Sequence, residues 1–189
     1  MPSSSAVTNP NPPASEVSID ELGLFKIFSG LSREKLGKIR SIMDLERHKA
    51  NEVIIKDEDV GDTFYLLLEG EVEVSKVLVM RMSRQEVDET DKSFIRLSSD
   101  PHPDFGKPAF GEMALFSETC KRSATVRTTL PSVLGVIQHC RFIALCESDH
   151  EIGYRVFLNI AGVMSGRLDK TNRDVLNLTT ALSFVLASG

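Results

Sequence analysis

The sequence predicts a mainly β domain with flanking helices, of the α+β class. Short runs of β-branched and aromatic residues recur between Val53 and Gln138, separated by turn signals. Apolar residues at helical spacing precede this stretch and follow it. The length of 189 residues suits one domain with a substantial core and is short for two. Apolar content of 41% and charged content of 26% are those of an ordinary globular protein.

The first fifteen residues hold four prolines, four serines and two asparagines, and the first cation is Lys26. They lack the basic start and apolar centre of a secretory signal, so residues 1–16 are expected to form a disordered tail. Ser18 with Glu21 three residues on has the pattern of a capping box. Leu22, Leu24, Phe25 and Phe28 then offer one apolar helix face, which Gly30 ends. Ser32 caps again, and Leu36, Ile39, Ile42 and Met43 recur at helical spacing.

After Asp44 the pattern changes. Val53–Ile55, Phe64–Leu68, and Val72 with Val74 are strand-like runs, punctuated by Asp59, Gly61-Asp62 and Glu69-Gly70. Their spacing predicts an antiparallel sandwich or barrel. Residues 82 to 93 are charged and lack periodicity, and Pro101, Pro103, Gly106 and Pro108 follow. Residues 82–108 therefore read as a long excursion around one short strand, Phe94 to Leu97. Thr125 to Arg127 and Val133 to Gln138 supply two more strands.

Helix returns from Phe142, with Ile152, Val156, Phe157, Ile160, Val163 and Met164 on one face. Leu168, Val175 and Leu182 then fall seven apart, with Thr171, Leu178 and Val185 interleaved. This seam of about two and a half heptads predicts a homodimer through the C-terminal helix. Packing of the same face against the protein's own barrel, or against another protein, is the alternative.

Composition excludes several functions. A net charge of −5 argues against sequence-independent nucleic-acid binding, which relies on lysine and arginine neutralising phosphates. No apolar run approaches the roughly 18 to 20 residues that span a bilayer. Cys120, Cys140 and Cys146 form no dense pattern, and a reduced cytoplasmic setting is expected. His48, His102, His139 and His150 show no metal-ligand spacing, and no phosphate loop or nucleophile elbow is present. No metal, no cofactor and no catalysis are expected.

The informative stretch is Phe110-Gly111-Glu112-Met113-Ala114-Leu115-Phe116, five residues, then Arg122-Ser123-Ala124-Thr125-Val126. A cyclic phosphodiester carries one negative charge, which suits the planar fork of one arginine and the free N–H groups of a helix start. Gly111 lets backbone approach a ligand closely. Glu112 accepts from a hydroxyl such as that of a ribose. Ser123 can donate to phosphate, and Ala124 leaves room for it.

These residues resemble the phosphate-binding cassette of cyclic nucleotide-binding domains, as in the catabolite activator protein and the regulatory subunits of cyclic-AMP-dependent kinase. The likeness extends to Leu24–Leu36 and to Val60–Val72, and covers roughly residues 20 to 176. It implies a jelly-roll β-barrel over 17–166 and a dimerising or lid helix over 167–189. It implies that Arg122 holds the cyclic phosphate, with Ser123, Ala124 and the backbone of Phe110, Gly111, Met113 and Ala114 assisting. Glu112 would take the ribose hydroxyl, and Thr171 and Asn172 would face the base. The implied ligand is cyclic AMP, with cyclic GMP second, because a hydroxyl after the cassette arginine accompanies either.

Where the family has a tight glycine turn before the cassette, this sequence reads Asp104-Phe105-Gly106-Lys107-Pro108-Ala109. The DNA-reading segment of the catabolite activator type would follow the last helix, and the sequence stops at Gly189. The expectation is thus a stand-alone receptor that signals by conformational change to a further protein partner. Three alternatives stay open: a scaffold with a vestigial cassette, a regulatory subunit restraining a separate enzyme, and Arg122 with Glu112 as a structural ion pair.

Overall fold

The computed structural model describes residues 17–79, 89–102, 106–116 and 120–187. The 1–16 tail lies outside them, as do 82–88 and 103–105 of the excursion. Two four-stranded antiparallel sheets form a jelly-roll sandwich, with helices against one of them.

Ser18 accepts from the Glu21 N–H, as the capping box requires, but helix α1 spans only Ile19–Leu22. A 3-10 turn, Lys26–Phe28, follows, so the first predicted helix is two short pieces. The break directs Leu22, Phe25 and Phe28 into the core and leaves Leu24 46% exposed. Ser32 caps helix α2, Arg33–Ser41, through the Lys35 N–H. The helical spacing expected to continue through Met43 ends sooner, because Met43 begins strand β1 (Met43–His48). β1 was not predicted. Its Met43 and Leu45 alternate with Asp44 and Glu46, a pattern too short to stand out from the helix before it.

Strands β2 (Val53–Ile55), β3 (Thr63–Glu69) and β4 (Glu71–Val79) lie where expected. β5 corrects the reading of 82–108: it runs Glu89–Ser98 and pairs with β4 along its length, from Glu71↔Ser98 to Val79↔Glu89. Cross-strand pairing in this ribbon needs no hydrophobic alternation, so charged residues concealed it. β6 (Ala109–Phe110), β7 (Thr125–Thr128) and β8 (Ser132–Gln138) complete the sheets, ordered β1-β8-β3-β6 and β2-β7-β4-β5.

β3 is buried on both faces, which explains its unbroken apolar run. Tyr65 and Leu67 join Val72, Phe110, Val126, Leu134 and Val136 between the sheets. Phe64, Leu66 and Leu68 turn the other way, to Phe25, Phe28, Ile39 and Phe142 beneath the helices. Burying each such side chain contributes about 1.5–3 kcal/mol. Lys107, on the return limb of the excursion, donates to Glu21 at 2.5 Å and to the Leu68 carbonyl at 2.7 Å. That limb pins α1 to the barrel.

Helix α3 (His139–Ser148) is followed by helix α4, a continuous His150–Ala187, so the boundary drawn at 166/167 falls within one helix. The first turns of α4 bury Ile152, Val156 and Ile160. Two polar clamps hold this half. Asp149 accepts from Lys35 and Lys38 of α2 at 2.9 Å each. Asn159 donates both amide hydrogens, to the Ile27 and Ser29 carbonyls. Beyond Val163 the described residues of the helix are exposed, Leu168, Val175, Leu178 and Leu182 among them. The heptad seam therefore does not pack on the protein's own barrel. No helix among the described residues is long and apolar enough to cross a membrane.

Candidate functional site

β6 delivers Phe110, whose ring stacks on Tyr65 of β3 at 5.2 Å and 11°. Gly111 then adopts φ +74°, a left-handed conformation that glycine takes at no steric cost. The chain thereby turns into a 3-10 segment, Glu112–Leu115, that buries Ala114 and Leu115 and exposes Met113. His139, at the start of α3, backs this segment: its Nδ1 lies 2.8 Å from the Ala114 carbonyl. A carbonyl only accepts, so Nδ1 carries the hydrogen.

Arg122 comes from the other limb. The Glu58 N–H donates to the Arg122 carbonyl at 2.9 Å, and the Arg122 N–H donates to the Asp59 carbonyl at 2.8 Å. This short pairing of 58–61 with 120–122 holds the backbone of the arginine, although the residues are far apart in sequence. Arg122 as a whole is 8% exposed. Nη2 donates to the Thr63 carbonyl at 2.9 Å and to Thr63 Oγ1 at 3.0 Å. Arg122 pairs with no carboxylate among the described residues, and its Nε and Nη1 hydrogens have no partner there.

Arg122 forms part of the wall of a cavity of about 250 Å³, with Ile54, Ile55, Lys56, Asp59, Val60, Gly61, Asp62, Thr63 and Tyr65. Apolar and charged groups thus share one lining, the combination a small polar ligand with a flat apolar part requires. Ser123 is exposed just after Arg122, and Ala124 is half-buried before β7.

Glu112 faces elsewhere. Arg167 of α4 donates to its Oε1 at 2.5 Å. Arg122 and Glu112 therefore have separate partners and do not form the structural ion pair held open above. A second cassette-to-helix contact is aromatic. Phe116 lies 5.5 Å from Phe157 of α4, which meets Phe142 of α3 edge-on at 5.7 Å.

The structure brings Gly111 against Arg122 and Thr63. Glu112 turns instead to Arg167, and of the expected site residues the cavity lining includes Arg122 and none of Phe110, Gly111, Glu112, Met113, Ala114, Ser123 or Ala124. Thr171 and Asn172 stand apart, exposed on α4, with the Thr171 hydroxyl bonded to the Arg167 carbonyl at 3.0 Å. Thr63, His139 and Arg167 were missed as site residues. Nothing in their local sequence marks them, since each acts across more than twenty residues.

Similarity to solved structures is extensive. A cyclic nucleotide-binding domain from Methylobacillus flagellatus superposes with a TM-score of 0.68, at 18% identity, over 88% of this chain and 86% of that one. The catabolite activator protein of Thermus thermophilus gives 0.64 at 21% identity, over 82% and 63%. The regulatory domain of Toxoplasma gondii PKA, solved with cAMP, gives 0.61 at 18% identity, over 81% and 50%.

The chain has the fold of the cyclic nucleotide-binding domains.

In sequence, 118 residues are 30% identical to the Drosophila melanogaster cGMP-dependent protein kinase, isozyme 1. That match covers 62% of this chain and 14% of the kinase. The chain also spans 63% of the Thermus protein and half of the Toxoplasma domain. No protein-family model matches it. In the fold described here, Gly111 and Arg122 both approach Thr63 at the start of β3, which with Tyr65 contributes to the cavity wall.

Proposed function

We propose that this domain is a cyclic nucleotide receptor in which Arg122 takes the cyclic phosphate and Glu112 the ribose 2′-hydroxyl. The observation that carries this is the state of Arg122: buried at a cavity wall, paired with no carboxylate among the described residues, with Nε and Nη1 uncommitted. A buried cation without a counter-charge is costly, and a phosphate monoanion offsets that cost. Ser123 and the backbone of Phe110–Ala114, with Ala124 beside them, complete the phosphate and ribose site. Thr171 and Asn172 reach the base when α4 closes.

Cyclic AMP is the first ligand we assign, on the likeness of the Arg122-Ser123 pair to that of the catabolite activator type. Cyclic GMP is the second, favoured by the match to a kinase named for cGMP. The domain binds and does not catalyse. A ligand shifts its conformation only by binding one state more tightly than the other. Contacts from the cassette to α4, through Arg167 and Phe157, provide the route for that shift. The exposed seam on α4 supports a homodimer, and the signal passes to a further protein partner in the cytoplasm, without nucleic acid or membrane.

Calorimetric titration of each nucleotide into the full chain tests this. Saturable binding of one of them at micromolar concentration is expected. Absence of binding of both up to about millimolar, a free energy weaker than about −4 kcal/mol, would sink the reading.

A further inference from the structure

We infer that Gly61 is a positioning residue for Arg122, the absence of its side chain creating the slot in which the guanidinium lies. The inference rests on Arg122 being the phosphate ligand. A Cβ at position 61 would stand 2.5 Å from both Nε and Nη2 of Arg122 and 2.8 Å from Cζ. Ordinary contact distances are about 3.5–4.0 Å, so the planar group lies flat against bare backbone. Gly111 closes the slot from the cassette side, where a Cβ would meet Nη1 at 2.9 Å. Thr63 holds Nη2 between them.

Gly61 and Gly111 differ in a way that makes one of them informative. Gly111 needs its positive φ, so a side chain there strains the backbone whatever the arginine does. Gly61 has no such φ, and the atoms its Cβ would meet belong to the far end of one flexible side chain. The fold tolerates alanine at 61 by letting the guanidinium move. The group that moves is the one that binds the ligand, and a bidentate fork depends on direction as much as on proximity. Gly61 lies outside the Phe110–Val126 cassette, beside Arg122 in the cavity wall, and offers a ligand no side chain of its own.

The test is a double-mutant cycle on the full chain, read by calorimetry with cyclic AMP and cyclic GMP and by thermal melting. Gly61→Ala is expected to weaken binding at least about 10-fold, the scale of a lost charge-assisted contact, while melting within about 4 °C of the parent. In an Arg122→Lys background, which lacks the planar fork, the same change is expected to alter affinity less than about 2-fold, the signature of two residues acting as one.

Parental affinity in Gly61→Ala overturns the inference, as does equal weakening in both backgrounds. Should Gly61→Ala unfold, Gly61→Ala with Arg122→Ala decides. Recovery of the fold once the arginine is shortened supports the slot, and continued unfolding assigns the glycine to the turn and overturns it. A parent chain that binds neither nucleotide removes the reading of Arg122 itself, an outcome distinct from all of these.

Discussion

Arg167, seventeen residues into α4, donates to Glu112 Oε1 at 2.5 Å and so ties the cassette to the helix that leaves the domain. A carboxylate has roughly four lone-pair positions, so Oε2 stays available to a ribose hydroxyl while Oε1 holds the arginine. Glu112→Ala should weaken nucleotide binding about 2- to 12-fold and reduce the preference for ribose over 2′-deoxyribose ligands. Arg167→Ala, which breaks a partly exposed pair, should weaken it by about 1.5- to 5-fold. Parallel titrations with the ribo and deoxy ligands check both.

Arg122→Ala removes the only guanidinium at the cavity wall among the described residues. Affinity should fall about 10- to 150-fold, from about 1.5–3 kcal/mol for a charge-assisted hydrogen bond. Unchanged affinity in titration of this variant would place the phosphate elsewhere.

Two titrating clusters set the pH dependence of stability from opposite sides. Hydrogen bonds from Lys38 and then Lys35 hold the Asp149 carboxyl well below its ordinary 3.8. A depressed pKa contributes stability above the unfolded value, lost as pH falls through the folded one. Asp149→Asn should therefore flatten the loss of stability on acidification below about pH 4. His48 is raised above 6.5, chiefly by its bond to Glu46 and then by Glu52, against the opposing effect of burial. Its contribution is complete below 6.5 and is lost as pH rises through the raised value. His48→Gln should abolish that alkaline loss. Urea unfolding across pH for each variant measures both.

The seam of α4 predicts its own disruption. Val175 and Leu182 are 55% and 60% exposed, one heptad apart, and lysine at both places charge where a second copy would pack. Sedimentation should show a dimer for the parent and a monomer for Val175→Lys with Leu182→Lys. A melting temperature within about 4 °C of the parent is expected for the domain, since neither residue packs on the barrel.

The short strands were legible because their signals are local, and the stretch proposed as the cassette is local too. Alternating or continuous apolar runs mark β3 and β8, and Gly111, Glu112 and Arg122 sit within a few turns of one another in the chain. β1 was not legible, since its first buried residue, Met43, continues a helical spacing that begins at Leu36, and Leu45 alone is too little alternation to mark a strand. β5 was hidden by charge, because it is held by pairing with β4 along a ribbon.

The sequence by itself determined which residues offer chemistry suited to a cyclic phosphate and ribose: Arg122, Ser123, Gly111 and Glu112. Their chemistry is intrinsic to each side chain and survives without knowledge of the neighbours. Only the tertiary structure decided what surrounds them. Thr63 holds Arg122 across 59 residues and Arg167 holds Glu112 across 55, while Gly61 leaves the space the guanidinium fills. Those contacts exist because antiparallel pairing and helix packing bring distant segments within a few ångströms, which no local pattern encodes.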